Sequence, residues 1–258
     1  MLLAPFEVSA KRFFLTVDGY ARLTFSTLVK GLSRPFYLRE TAYQFDRIGV
    51  ESLFIILLTG LFTGMVLALQ GVALLGRFGA NSYLGSMIGA SIVRELGPVL
   101  AALMVAGRVG SSITAELGNM AVTEQIDAYI VEGTDVVRKL VVPRFWACLL
   151  SLPLLTVLAD GVAVAGGYLI IGTMTDLNAR FYWRSVTDFL APNDLAMGII
   201  KPIVFGMIIA SIGCFLGLRA RGGAEGVGVA VKQSVVFASI LILIADFFLT
   251  KIFLVLFP

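Results

Sequence analysis

Long apolar runs separated by short polar, mostly basic intervals dominate the chain, and that pattern predicts helices that cross a membrane. A span needs roughly 20 mostly apolar residues. On that basis the candidates are about 50 to 70, 84 to 116, 145 to 172, 197 to 218 and 233 to 257. The run from Ser52 to Leu69 carries no charge at all. The second candidate is long and contains Arg94, Glu95, Pro98 and Arg108. It is expected to be broken or strongly tilted, with its polar groups turned away from lipid.

Ahead of the first span, residues 6 to 30 place Lys11, Arg12, Asp18, Arg22 and Lys30 on one side of a helical wheel. Phe13, Phe14, Val17, Tyr20, Phe25 and Leu28 fall largely opposite. This predicts a helix lying in the membrane interface, although a helix packed on a partner would show the same period. The leading apolar stretch is too short for a secretory signal, and Lys11 and Arg12 follow it rather than precede it. Residues 1–47 are therefore read as a cytoplasmic or interfacial segment, and 48–258 as one five-helix membrane domain. Between the second and third spans, a short helix is expected from about Thr123 to Glu132, stopped near Gly133. It mixes Glu124, Asp127 and Glu132 with apolar side chains, as either a docking helix or a cover on the end of the bundle would.

Lys and Arg concentrate in residues 11–47 and recur at Arg138, Lys139, Arg144, Arg219, Arg221 and Lys232. The alternate loops carry only Arg77, then Arg180 and Arg184. The positive-inside rule places the N-terminus and the loops near 117–144 and 219–232 in the cytoplasm, and the C-terminus outside. Tyr182 and Trp183, in the second outer loop, are expected at the membrane interface.

Composition agrees with this picture and removes other classes. The 258 residues are 58% hydrophobic and 14% charged, with a mean hydropathy of +0.93, outside the range of ordinary soluble domains. A formal charge of +3, scattered along the chain, argues against a nucleic-acid surface. There is no histidine, and Cys148 and Cys214 each lie in an apolar run, so they are read as packing residues and no metal site is expected. No Walker A pattern and no Ser, His and Asp set occur. Neither catalytic residues nor a cofactor are expected; the chain is not read as an enzyme.

A charge within the hydrocarbon region costs at least a few kcal/mol unless it is paired, wet or near a helix end. Arg94 and Glu95 are adjacent and project about 100° apart on a helix. They either line a cavity, where the Arg fork could hold a phosphate, or form ion pairs with a neighbouring helix. Arg108 and Glu116 lie eight residues apart, share a face and are expected to brace the bundle. Asp160 and Asp246 are read as internal packing pairs, and Lys201 as a residue that snorkels or reaches a lipid headgroup. The spacings of Gly60 with Gly64, Gly85 with Gly89 and Gly213 with Gly217 permit close helix approach.

The run from Arg94 to Asp127, RELGPVLAALMVAGRVGSSITAELGNMAVTEQID, resembles the signature of the MlaE family, permeases of ABC systems that work with MCE proteins. The likeness continues through VVPRFWACLLSLPLLT at 141–156, GGAEGVG at 222–228 and ADFFLT at 245–250. It implies a multi-pass protein of the bacterial inner membrane, all helical, with an interfacial helix and five spans. It implies a homodimer, although some relatives pair unlike permeases. Two copies would enclose a phospholipid cavity beneath a periplasmic ring of MCE subunits, lined at Leu67, Leu75, Phe78, Arg94, Glu95 and Lys201. The coupling helix would seat in a cytoplasmic ABC ATPase dimer through Thr123, Glu124, Gln125, Asp127 and Glu132, and ATP would be hydrolysed in that partner. The family pattern after this helix resembles MGVDP, whereas here Glu132, Gly133, Thr134, Asp135 and Val136 stand, which puts the local geometry and partner surface in question. The residues alone leave two other readings: a proton-coupled secondary transporter using Glu95, Asp160 and Asp246, and a membrane scaffold that transports nothing.

Overall fold

The computed structural model describes residues 4–33 and 37–256. The side chains of residues 4–13 are outside the described set, and with them Lys11, Arg12 and Phe13 of the expected interfacial face. Every regular element among the described residues is helical: α1 (Ala4–Gly31), α2 (Leu38–Leu75), α3 (Asn81–Val122), α4 (Gln125–Val131), α5 (Val137–Met174), α6 (Ala179–Phe189), α7 (Pro192–Leu218) and α8 (Gly223–Leu256). Five of them, α2, α3, α5, α7 and α8, are long and apolar enough to cross a membrane. They overlap the five expected runs and extend past them, because helical hydrogen bonding continues into the polar flanks.

The second span is not broken. It stays continuous through two wide π turns, Ile92–Leu96 and Ala106–Gly110. Such turns insert a residue without ending the helix and re-aim the side chains around them.

The glycine spacings fall at helix crossings. On α2, a Cβ at Gly60 would lie 2.8 Å from the Ala159 carbonyl oxygen of α5, and one at Gly64 would collide with that of Ala163. A Cβ at Gly217 of α7 would lie 3.0 Å from the Thr114 carbonyl oxygen of α3. Around these crossings a main core forms from side chains such as Val105, Phe145, Phe205 and Ile209. Cys148 and Cys214 are both free and buried within it. A second core joins Leu84, Ile88, Ile171 and Tyr182. By contrast α8 buries only Ala230, Ser234, Ala238, Ile242 and Phe253, and Leu243, Phe247 and Phe248 point outward. An outward apolar face of this extent suits lipid or another helix, not water.

Helix α6 was not foreseen, and it corrects the placement of Tyr182. Asn178 caps this eleven-residue helix, its Oδ1 accepting the Arg180 N–H at 2.9 Å. Tyr182 and Val186, one turn apart, face inward. The Tyr182 ring is buried and its hydroxyl donates to the Val164 carbonyl at 2.9 Å, so its polar edge is satisfied by the bundle rather than by interfacial water. Trp183 remains 41% exposed.

The inner-loop helix is shorter than expected. Helix α3 runs to Val122, Glu124 adopts φ +60, and α4 starts at Gln125. Gly133, at φ +74, takes the left-handed turn that stops it. Asp135 then caps the start of α5: its Oδ1 accepts the N–H groups of Val137 at 3.1 Å and Arg138 at 3.3 Å. Burial pushes the Asp135 carboxyl up, but Lys30, 2.5 Å away, and the two backbone donors outweigh it and hold the group below its usual range. Val136 has φ −54, within the range a proline ring imposes, so the backbone here would accept a proline. Val136→Pro, which restricts the unfolded chain, is expected to stabilise the protein by about 0.4–1 kcal/mol. A lower thermal unfolding midpoint of the purified variant in detergent would show that the valine is needed.

Candidate functional site

A charge cluster joins α3, α7 and α8. Pro98 has no N–H to donate to the Arg94 carbonyl one turn earlier, so that acceptor loses its helical partner. Lys201 on α7 replaces it, its Nζ donating to the Arg94 oxygen at 2.8 Å. The same ammonium donates to Glu95 Oε2 at 2.8 Å and lies 2.9 Å from Asp246 Oδ1. Two oxygens thus accept from the ammonium, while Asp246 Oδ1 faces it as an ion pair without a hydrogen bond. Thr250 adds a hydroxyl donor to Glu95 at 3.1 Å. Lys201 is 0% exposed, so it does not snorkel: its stem ends inside the bundle, where carboxylates from two other spans meet it.

Arg94 turns the other way. Its Nη2 donates to Asp194 Oδ2 at 2.9 Å, its Nε is 2.7 Å from Oδ1, and the guanidinium lies 5.5 Å from the Phe189 ring centroid. Asp194 also accepts the Ala191 N–H at 2.9 Å, so one carboxylate both caps α7 and holds Arg94. Of the two arrangements open for Arg94 and Glu95, the chain adopts ion pairs, each residue with its own partner on another helix. Both side chains still remain about 40% exposed, 39% and 41%. The cluster holds two cations and three carboxylates.

Three residues of this cluster, Asp194, Asp246 and Thr250, hold the groups that face Arg94, Glu95 and Lys201; Asp246 was expected to pair, while Asp194 and Thr250 were not singled out. Leu67 and Leu75 pack against the second core and not against the charges. Phe78 lies in a short 3-10 turn after α2 and is 77% exposed. Asp160 departs from its expected pairing. It is 8% exposed, has no ion pair among the described residues, and its Oδ1 lacks a hydrogen bond. It faces Gly97, a position with no side chain to answer it, beside a small cavity lined by Thr59 and Thr63.

Toward the α4 end, Arg108 and Glu116 do share a face. Both line a cavity of about 140 Å³ with Gln44, Arg47 and Glu51. Glu116 bridges Arg47 and Arg144, the latter at 2.9 Å, and Arg108 lies 3.7 Å from Glu51. These contacts tie α2, α3 and α5 together.

Helix α4 itself projects from the bundle and has no buried residue. Ile126 and Tyr129 pack partly against the main core, and Lys139 Nζ lies 4.3 Å from the Tyr129 ring centroid. Thr123, Glu124, Gln125, Asp127 and Glu132 are all exposed. So are the apolar Ile130, at 59%, and Val131, at 88%. The base of the segment is tied to α1 by the Lys30–Asp135 pair and by Arg138, which donates to Ser33 at 3.0 Å.

Residues 41–252 match the family model described as Permease MlaE. A probable ABC transporter permease protein of Rickettsia felis is 41% identical over 94% of this chain and 93% of its own length. A probable ABC transporter permease protein of Synechocystis is 43% identical over 82% of this chain and 81% of its own. The intermembrane phospholipid transport system permease protein MlaE of Haemophilus influenzae is 39% identical over 81% and 80%. With that family match across all five spans, the chain belongs to the MlaE family of ABC transporter permeases.

Proposed function

We propose that this permease moves phospholipid between the inner membrane and an MCE protein, driven by a separate cytoplasmic ATPase that docks on α4. The observation that carries the ATPase half is α4 itself: a helix rooted by Ile126 and Tyr129 but ending in exposed Ile130 and Val131. An apolar tip held out on a braced stalk has a use if another protein buries it. The phospholipid half rests on the name of the Haemophilus relative. On this reading α1 belongs to a segment, 1–47, that lies on the cytoplasmic side with α4, and the C-terminus is periplasmic. The outward faces of α2 and of α8 from Leu243 onward are where a second copy would enclose the lipid path, with Leu67, Leu75, Phe78, Arg94 and Glu95 on its walls, Lys201 behind them and an MCE ring above. Arg94, partly exposed and held by one carboxylate, could exchange Asp194 for a lipid phosphate.

Purification of the tagged chain from its native cells in mild detergent, with mass spectrometry of what accompanies it, tests the assembly. An ATPase, an MCE protein and bound phospholipid would support the reading. Recovery of the chain alone, active in proton-coupled uptake, would instead favour a secondary transporter; recovery with partners but no lipid movement on reconstitution would favour a scaffold.

Within the assembly, Val131→Asp is expected to weaken ATPase binding at least tenfold, because burying one such side chain is worth about 1.5–3 kcal/mol. Glu132→Met is expected to weaken it less, by removing one salt-sensitive contact with a basic group on the ATPase. Pull-down across a titration of the ATPase measures both; unchanged affinity in the two variants would place the docking surface elsewhere.

A further inference from the structure

At the end of the bundle that carries α1, two cavities meet at Leu216. The first, of about 480 Å³, is an apolar groove between Val17 and Tyr20 of α1, Phe215 of α7 and Ile240 of α8. The second, of about 520 Å³, opens around the turn from α7 to α8 and is lined by Arg219, Arg221 and Glu225. Gly222 and Gly223 make that turn with φ +88 and +69, and a Cβ at either would meet open space.

The two cavities are chemically unlike and geometrically joined. The hydroxyls of Tyr20 and Ser211 lie 2.7 Å apart and satisfy each other beside the groove. Phe215 stands edge-on to Tyr20, 5.7 Å between centroids, and carries the Arg219 guanidinium 4.3 Å from its ring centroid. One aromatic ring therefore forms both the groove wall and the platform for the cation at its mouth. Neither Arg219 nor Arg221 has an ion pair among the described residues. On the other side the groove runs onto Phe237 and Ile240 of α8, about half exposed at 51% and 47%, on the outward apolar face that suits lipid or another helix.

We propose that this groove holds one anionic glycerophospholipid of the leaflet beside α1, with an acyl chain between α1 and α8 and its phosphate on Arg219 and Arg221. Two guanidinium groups that form no ion pair among the described residues, with the single carboxylate of Glu225 in the same cavity, leave a net positive charge above an apolar slot that matches a headgroup of net negative charge, and each guanidinium can fork onto phosphate oxygens. Glu225 limits the site to one such headgroup by repelling further negative charge. The site is separate from the Lys201 cluster, since Lys201 and Phe215 lie fourteen positions apart on α7, roughly 21 Å at 1.5 Å per residue. A lipid here fills the gap beside α1, and α1 is the helix that holds Asp135 at the foot of the α4 segment.

The test uses the full chain, with the subunits that copurify, in nanodiscs of phosphatidylcholine with or without phosphatidylglycerol. Lipid retained after exchange into detergent is counted by native mass spectrometry. Retention of phosphatidylglycerol over phosphatidylcholine is expected, and Arg219→Gln with Arg221→Gln is expected to lower it about tenfold, the worth of lost charge-assisted hydrogen bonds. Ile240→Trp, which leaves both arginines intact, is expected to lower it as well by filling the groove. Soluble glycerol 3-phosphate at matched concentration is expected not to displace the lipid, which separates a lipid site from a free phosphate site. Equal retention of the two lipids, unchanged retention in either variant, displacement by glycerol 3-phosphate, or a crosslink from Ile240→Cys to another protein chain across the groove would each overturn the proposal.

Discussion

Lys201→Met is expected to lower the stability of the folded protein by about 3–5 kcal/mol, the usual cost of removing one partner from a buried ion pair. The side chain lengths are similar, so the loss is electrostatic rather than a cavity. Without the ammonium, Glu95 and Asp246 face one another with no cation between them, and the Arg94 carbonyl that Pro98 left without a donor is orphaned again. Glu95, at 41% exposure, can turn partly outward; Asp246, at 18%, has less freedom. Adding Glu95→Gln and Asp246→Asn to Lys201→Met is therefore expected to recover most of the loss, since amides can share hydrogen bonds without net charge. Unfolding midpoints of the single and triple variants in one detergent measure this. A single variant as stable as the parent would mean that water already solvates the carboxylates. The same ammonium joins α3, α7 and α8, so these three spans are expected to shift together in any transport cycle that leaves it in place.

The five spans were legible because each carries its signal within itself: an apolar run long enough to cross a membrane. Helix α4 was legible too, bounded by Gly133 and by polar residues on both sides, although the left-handed Glu124 moved its start by two residues. Helix α6 was not. Eleven residues containing Arg180, Arg184 and Asp188 are too short and too charged for a span, and the inward pair Tyr182 and Val186 has meaning only once α3 and α5 are in place. The charge cluster shows the same limit. That Lys201 meets Glu95 and Asp246 depends on the rotation of three helices about their axes, and the π turn at Ile92–Leu96, which helps set that rotation for Glu95, has no mark in the sequence. Asp194 lies three residues ahead of the expected span and carried no signal of its own; in the structure it sits in the first turn of α7. Asp160 looked like half of a pair, and the position opposite it turned out to be a glycine.

Gly64→Ala and Gly161→Ala, the same change made on two packed helices, are expected to act in opposite directions. In a helix interior this substitution alone favours alanine by roughly 0.5–1 kcal/mol. At Gly161 of α5 nothing lies within 4 Å of the added methyl, so that gain should appear as a higher unfolding midpoint. At Gly64 the methyl would run into the Ala163 carbonyl oxygen, a backbone atom that cannot rotate aside. Helix α2 must then move away from α5 along the most extensive helix contact in the bundle, also loosening the approach of Gly60 to Ala159 four residues away. Overpacking of well-filled cores typically costs about 1–3 kcal/mol, and because no side chain can yield here the loss should fall at or above the top of that range. Replacement by leucine should leave little monodisperse protein after purification. Since α2 carries Leu67 and Leu75 on one flank and Arg47, paired with Glu116, near its start, displacing it would disturb both ends of the molecule. A Gly64→Ala variant with an unchanged midpoint would show that the two helices are held apart by lipid or partner and not by this contact.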